Sequence, residues 1–216
     1  MDASLPHLLS ELEEAGRRYD EQEQDRSRKM LNLEPETAHL LSVLVRSSQR
    51  TRLLEIGTSN GYSTIWLAWA THMVGGHVIS IDRDEHKQAL ADANLRRAGL
   101  RDVVELIHGD ATQVVAELGG PFDCVFFDAD RLSAPSQLAL LLPKLTAEAL
   151  LFADNVLSHP QEIADYLAAV EALPQFDHLV VPVGKGLSIA YRQKDQEAFQ
   201  GGWMKMKSYL IGRIDT

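Results

Sequence analysis

From residue 51 onward the chain alternates short apolar runs with longer helical stretches. The runs are Leu53 to Ile56, His77 to Ile81, Val103 to Ile107, Phe122 to Phe127 and Ala149 to Ala153. Short β-rich runs alternating with helices predict a parallel sheet covered by helices on both faces. Two further runs, Leu179 to Val183 and Leu187 to Tyr191, are separated only by Gly184-Lys185-Gly186, which predicts an antiparallel hairpin ending the sheet. Residues 1–50 read as helices: charges dominate Glu11 to Lys29, and Pro35 opens a stretch with Leu40, Leu41, Val43 and Leu44 available for one face. They form a cap on the core at 51–192, not a domain of their own. The tail at 193–216 carries Phe199, Trp203, Met204, Met206, Tyr209 and Leu210. So many large apolar groups are expected to pack on the domain or on a second subunit, which predicts a homodimer.

Composition narrows the picture. A chain of 216 residues, 45% of them hydrophobic, can bury the core of one α/β domain. Its 31 acidic and 21 basic residues give a formal charge of -10, which repels a phosphate backbone and disfavours a nucleic-acid partner. Cys124, the only cysteine, lies beside Val125-Phe126-Phe127 and reads as a buried small hydrophobe, so no intramolecular disulfide forms. The first residues lack a basic segment followed by an apolar one, and no apolar run approaches the roughly 20 residues that span a bilayer. The expectation is a soluble, cytoplasmic protein.

The first strand runs into Glu55-Ile56-Gly57-Thr58-Ser59-Asn60-Gly61-Tyr62-Ser63 and then a helix. Glycines at 57 and 61 let the backbone turn sharply and approach a ligand at the carboxyl end of the strand, where open α/β sheets bind. Asp82 ends the second run, where a carboxylate accepts ribose hydroxyl hydrogens, and Gly109-Asp110-Ala111 follows the third, at the depth of an adenine edge. A dinucleotide turn reads G-x-G-x-x-G with pyrophosphate at the helix start. Here the glycines are four apart and follow an acid, which suits the ammonium and sulfonium of S-adenosylmethionine and not a diphosphate. The candidate cofactor set is Glu55, Gly57, Thr58, Ser59, Gly61, Tyr62, Ser63, Asp82, Arg83, Gly109, Asp110, Ala111 and Asp128.

With Leu-Glu-Ile-Gly-Thr-Ser-Asn-Gly-Tyr-Ser, Asp82, Phe-Phe-Asp-Ala-Asp and Ala-Asp-Asn-Val in this order, the sequence resembles the metal-dependent O-methyltransferases, the group of catechol and caffeoyl-CoA O-methyltransferases and bacterial relatives. The resemblance runs from about Asn32 to Arg192 and includes Pro35-Glu36 and the Gly-x-Gly-Leu hairpin at 184–187. It implies a Rossmann-like methyltransferase fold with a mostly parallel seven-stranded sheet, a C-terminal antiparallel hairpin and an N-terminal helical cap. Asp128 ends the fourth core strand, and Asp154 and Asn155 end the fifth, so three oxygen donors converge on one point and suit Mg²⁺ or Ca²⁺. In the family the matching residues bind that ion, and the ion binds neighbouring hydroxyls of the acceptor.

The chain also departs from the family. Three residues after the first metal-ligating aspartate the family usually has a lysine that assists deprotonation; here it is Arg131, which stays protonated and is left to stabilise an oxyanion electrostatically. The tyrosine often found a few residues later is missing, and the segment Val156 to His159 before Pro160 is shorter than the substrate-covering loop of many relatives. His159 is the alternative base, titrating near neutrality, or else a surface histidine before a helix. Lys185 replaces a commonly acidic hairpin residue and either alters acceptor preference or is simply solvated. The leading expectation is methylation of a small hydroxylated, catechol-like acceptor. Two alternatives stay open: methylation of a hydroxylated tRNA uridine, which a basic face would support, and a cofactor-binding protein that has lost catalysis.

Overall fold

The computed structural model describes residues 4–194. The first helix, α1 (Ser4–Gln22), buries Leu5, Leu8, Leu9, Leu12 and Gly16, a stripe at helical spacing hidden among charges. A 3-10 turn at Arg26–Arg28 leads to α2 (Pro35–Ser47), which Pro35 opens as expected and which buries Ala38, Leu41, Ser42 and Val45. The buried face of α2 therefore differs from the expected one. Leu41 lies on it, Leu40 and Leu44 pack at its margin, and Val43 points outward at 41% exposure. The leucines of α1 and α2 join one core cluster with Leu53, Val78 and Phe126, so the cap closes one face of the sheet.

The core then alternates β1 (Arg52–Ile56), α3 (Tyr62–His72), β2 (His77–Asp82), α4 (Glu85–Arg97), β3 (Val104–His108), α5 (Ala111–Glu117), β4 (Phe122–Phe127), α6 (Ala134–Leu141), β5 (Leu145–Ala153) and α7 (Pro160–Glu171). It ends with β6 (Phe176–Val181) and β7 (Leu187–Arg192). The seven strands form one sheet in the order β3-β2-β1-β4-β5-β7-β6, parallel from β3 to β5, with β7 antiparallel to both of its neighbours. This is the Rossmann-like arrangement expected, hairpin included. The hairpin's first strand starts three residues earlier than its apolar run and stops at Val181, because Pro182 has no N–H to continue the ladder. Cys124 is fully buried, and its thiol is pushed up by desolvation. No helix among the described residues is long and apolar enough to cross a membrane. The apolar tail expected to pack on the domain or a partner lies, from residue 195, outside the described residues.

Chain direction decides where a site can form. Starting from β1, the chain moves outward through β2 and β3, then returns to place β4 on the other side of β1. The carboxyl ends of β1 and β4 thus flank the point where strand order reverses, the position at which open α/β sheets leave a crevice.

The corrected face of α2 is directly testable. Leu41→Ala removes a fully buried side chain and is expected to cost about 2–5 kcal/mol of unfolding free energy, while Val43→Ala stays within about 0.5 kcal/mol. Equal losses in urea denaturation would show that the face is misassigned.

Candidate active site

Both edges of the β1 end are pinned: Gly57 N–H donates to the Ile81 carbonyl at 2.9 Å, and Asp128 N–H donates to the Ile56 carbonyl at 2.9 Å. Gly57 has φ +112°, and a Cβ there would overlap the Asp128 carbonyl. Only glycine permits this approach. The chain continues through Ser59 at φ 48° and Gly61 at φ 87°, which starts α3 and packs on Ala91 of α4. Half-buried Asp82 accepts from the N–H groups of Ser59 (2.8 Å) and Asp84 (2.9 Å), fixing the turn to the end of β2. Ser59 Oγ donates to the Met30 carbonyl at 2.6 Å, and the Asp20 carboxylate accepts from the N–H groups of Met30 and Leu31. The cap's connecting segment is thereby tied to the turn.

Beneath the turn lies Glu55, with 0% exposure. It accepts from the hydroxyls of Ser63 (2.7 Å), Thr64 and Ser80. Because Ser80 donates to Glu55, the 2.7 Å contact of Ser80 with Thr58 requires Thr58 to donate, and Gln88 Nε2 donates in turn to Thr58 Oγ1 and the Ile107 carbonyl. The dipoles run one way, toward the carboxylate. Desolvation still outweighs the three hydrogen bonds and pushes the Glu55 carboxyl up to about 7. Glu55 therefore sits behind the turn, bonded to the start of α3 through Ser63 and Thr64. Sequence reasoning missed Thr64, Ser80 and Gln88, though Ser80 is visible as the one hydroxyl amid Val78, Ile79 and Ile81.

Farther along the same sheet edge, Gly109 N–H donates to the Asp82 carbonyl at 3.0 Å, and Asp110 caps α5 by accepting from Gln113 N–H at 3.1 Å, with Ala111 the first helical residue. Tyr62 is buried at the start of α3. Arg83 is exposed, and its carbonyl accepts from His108 Nε2.

On the other side of the crevice, Asp128 follows β4 directly and Asp154 follows β5, with Asp154 N–H donating to the Phe127 carbonyl at 3.1 Å. Asp154 is 4% exposed. Burial raises its carboxyl to about 6, with the Glu34 charge adding to the rise, while the Asn155 backbone N–H, Lys185 and Arg131 oppose it. Asp128 is raised well above the usual carboxylate range by burial first and by the Asp154 charge second. Asn155, at φ 65°, donates its Nδ2 to Asp154 Oδ2 at 2.7 Å, and Asp154 Oδ1 is buried without a partner. Among the described residues no three His, Cys, Asp or Glu side chains gather at ligand spacing. The donors brought together are two carboxylates and one amide, all oxygen, with one buried acceptor unsatisfied. That set fits a hard divalent cation.

Arg131, Lys185 and His159 lie beside these donors. Arg131 Nε and Nη2 lie 3.0 and 2.8 Å from Glu162 Oε2 on α7, and the Arg131 side chain is 15% exposed. Lys185 Nζ is 2.6 Å from Oε1 of Glu34, the residue before α2, so Lys185 is an ion-pair partner although 48% exposed. His159 donates its backbone N–H to the Asn155 carbonyl; its Nδ1 is 2.9 Å from Ser158 Oγ and its Nε2 is 3.4 Å from Arg26 Nη2. Ser158 Oγ donates to the Asn155 carbonyl at 3.2 Å, so the contacts are satisfied with the ring proton on Nδ1 and the Nε2 lone pair facing Arg26. Burial and then the Arg131 charge hold His159 below its usual value, which keeps it neutral at pH 7. Sequence reasoning missed Glu34 and Arg26, which stand more than a hundred residues from the groups they meet.

Residues 3–193 match a family described as O-methyltransferase. A catechol O-methyltransferase of Niastella koreensis is 35% identical over 131 residues, covering 59% of this chain and 59% of that protein. A second, from Mycobacterium tuberculosis, is 37% identical over 118 residues, covering 54% of this chain and 53% of its own length. The chain thus spans less than two thirds of the length of these relatives. The crystal structure of an O-methyltransferase from Bacillus cereus in complex with SAH superposes with a TM-score of 0.74 at 26% identity, covering 87% of this chain and 91% of that one.

The buried Glu55 gives a pH signature. Its folded value of about 7 lies above its ordinary 4.5, so between these values the folded state keeps a proton that the unfolded state has lost. The associated stability is fully present below about pH 4.5 and is lost as pH rises to about 7. Glu55→Gln, which cannot ionise, is expected to show a shallower fall than wild type across this window in urea denaturation. Identical slopes would refute the assignment.

Proposed function

The chain belongs to the O-methyltransferase family, and we propose that it transfers the methyl group of S-adenosylmethionine to a hydroxyl of a small catechol-like acceptor, assisted by a divalent cation. The observation that carries this reading is the meeting of Gly57 and Asp128 at the β1–β4 crevice. It sets the glycine turn, held on its far side by Asp82, against Asp128, whose strand adjoins the one ending in Asp154 and Asn155. On the cofactor side, Asp82 has lone pairs left after its two backbone hydrogen bonds, and these would accept the ribose hydroxyl hydrogens. Gly57, Thr58, Ser59, Gly61, Tyr62 and Ser63 would form the cradle for the methionine end, with Glu55 supplying negative potential from behind. Arg83, Gly109, Asp110 and Ala111 would border the nucleoside.

On the acceptor side, Asp128, Asp154 and Asn155 would hold Mg²⁺ or Ca²⁺. Such an ion, when bound, lowers the pKa of a coordinated phenolic hydroxyl from about 10 and holds its oxygen in place. The remaining work falls to the chain. The hydroxyl gives its proton to solvent water, its oxygen attacks the methyl carbon, the carbon–sulfur bond breaks, and that electron pair stays on sulfur, leaving SAH. A cation and an anion become two neutral groups, so water exclusion by the buried strand ends favours the transfer. Arg131, fixed by Glu162, remains protonated and would stabilise developing oxyanion charge without taking a proton. Neutral His159 would accept one only if its Nε2 parted from Arg26.

Two measurements test this reading. Asp82→Ala should weaken S-adenosylmethionine binding about tenfold or more in calorimetry, since hydrogen bonds to a charged acceptor contribute about 1.5–3 kcal/mol. Unchanged affinity would remove Asp82 from the site. Asp154→Ala, or excess chelator on the wild type, should abolish methylation of catechols; full turnover in both cases would exclude cation assistance.

A further inference from the structure

Basic side chains gather beside the donor set, in a chain whose formal charge is -10. Three basic side chains gather around His159 from three separate elements: Arg26 from the cap's 3-10 turn, Arg131 from the segment after β4, and Lys185 from the hairpin. Two of them are matched by carboxylates, Arg131 by Glu162 and Lys185 by Glu34. Arg26 has no carboxylate partner among the described residues, and its side-chain contact is the 3.4 Å approach to His159 Nε2. Its neighbour Arg28, by contrast, pairs with Asp25 at 3.7 Å.

The position of Arg26 is fixed from both sides. Asp25 caps the turn by accepting from Ser27 N–H and Ser27 Oγ, at 2.9 and 2.7 Å. Beyond the turn, Asp20 accepts from the N–H groups of Met30 and Leu31, Ser59 Oγ holds the Met30 carbonyl, and Lys87 Nζ donates to the Lys29 carbonyl at 2.6 Å. The segment is therefore strapped to α1, the glycine turn and α4 at once. It carries Arg26 to His159, whose backbone N–H is bonded to Asn155, one of the proposed ion-binding residues. The strap fixes the backbone beneath Arg26, so less entropy is lost when its exposed side chain meets a ligand.

We infer that Arg26 is a specificity-determining residue that pairs with an anionic substituent on the acceptor, so that the favoured acceptor is a vicinal dihydroxy aromatic bearing a carboxylate. This rests on the proposed catechol methylation. An acceptor with its hydroxyls on Asp128, Asp154 and Asn155, and its ring extending past His159, which is bonded to Asn155, would bring a ring substituent to Arg26. A carboxylate there replaces a 3.4 Å contact to an imidazole nitrogen with a charge-assisted pair, which is shorter and roughly twice as strong. Arg131 and Lys185 already have carboxylate partners, which leaves Arg26 to pair with the substituent.

The test compares 3,4-dihydroxybenzoate, catechol and dopamine as acceptors, which share the diol and differ in charge. Wild type should show the highest kcat/KM for the benzoate and the lowest for dopamine. Arg26→Gln should lower the benzoate-to-catechol ratio about tenfold, chiefly through KM, and Arg26→Lys should recover most of it. Arg28→Gln, on the same turn but outside the site, should leave the ratio where it is. Turnover of catechol with no preference for the benzoate, or a ratio unmoved by Arg26→Gln, overturns the inference while the catechol reading stands. Absence of turnover on all three removes both.

Discussion

The architecture depends on how closely two strand ends meet. β1 and β4 are neighbours at the point where strand order reverses, and their carboxyl ends approach until Gly57 lies against the Asp128 carbonyl. No side chain fits between them. The turn after β1 must therefore swing outward, through left-handed backbone at Ser59 and Gly61, before α3 can begin. That detour makes a rim on one side of the crevice, stabilised by Asp82 from β2, and leaves the ends of β4 and β5 as the other rim. Two chemically different groups of side chains become adjacent where Gly57 leaves no room for a Cβ.

Buried charge is treated differently on the two rims. Glu55 is fully enclosed, but hydroxyls from α3 and β2 serve both of its oxygens, with Thr58 and Gln88 extending the chain of donors. Removing a carboxylate from water is costly, and this network offsets only part of that cost, as its raised pKa records. The Asp128–Asp154 pair has less support. Asp154 receives one side-chain donor, from Asn155, and its other oxygen has none. Two raised carboxyls side by side, with an orphaned acceptor, form a site poised for positive charge, whereas Glu55 is internally complete.

Much of this is legible in the sequence, and the illegible remainder has a common cause. The strands are readable because parallel strands buried on both faces are continuously apolar, and the hairpin is readable because its turn is so short. Asp82, Asp128 and Asp154 stand out as polar residues ending apolar runs. The stripe of α1 is obscured because its leucines are interleaved with charges, and the face of α2 is misjudged at Val43 because two adjacent leucines dominate the local pattern. Glu34, Arg26 and Glu162 belong to helical or connecting segments with no apolar run to mark them. They matter only because the fold brings them to Lys185, His159 and Arg131. Local periodicity shows which residues are buried; it does not show which charges meet across the sheet.

In the proposed site, one crevice between the ends of β1 and β4 holds the cofactor and the cation together. A crystal structure of the chain grown with SAH and Mn²⁺, with anomalous diffraction data, tests it most directly. The expected result is SAH lying along the 57–63 turn with its ribose on Asp82, and an anomalous peak among Asp128, Asp154 and Asn155. SAH elsewhere on the molecule, or a fully bound SAH with no anomalous peak at those three residues in saturating Mn²⁺, would contradict it.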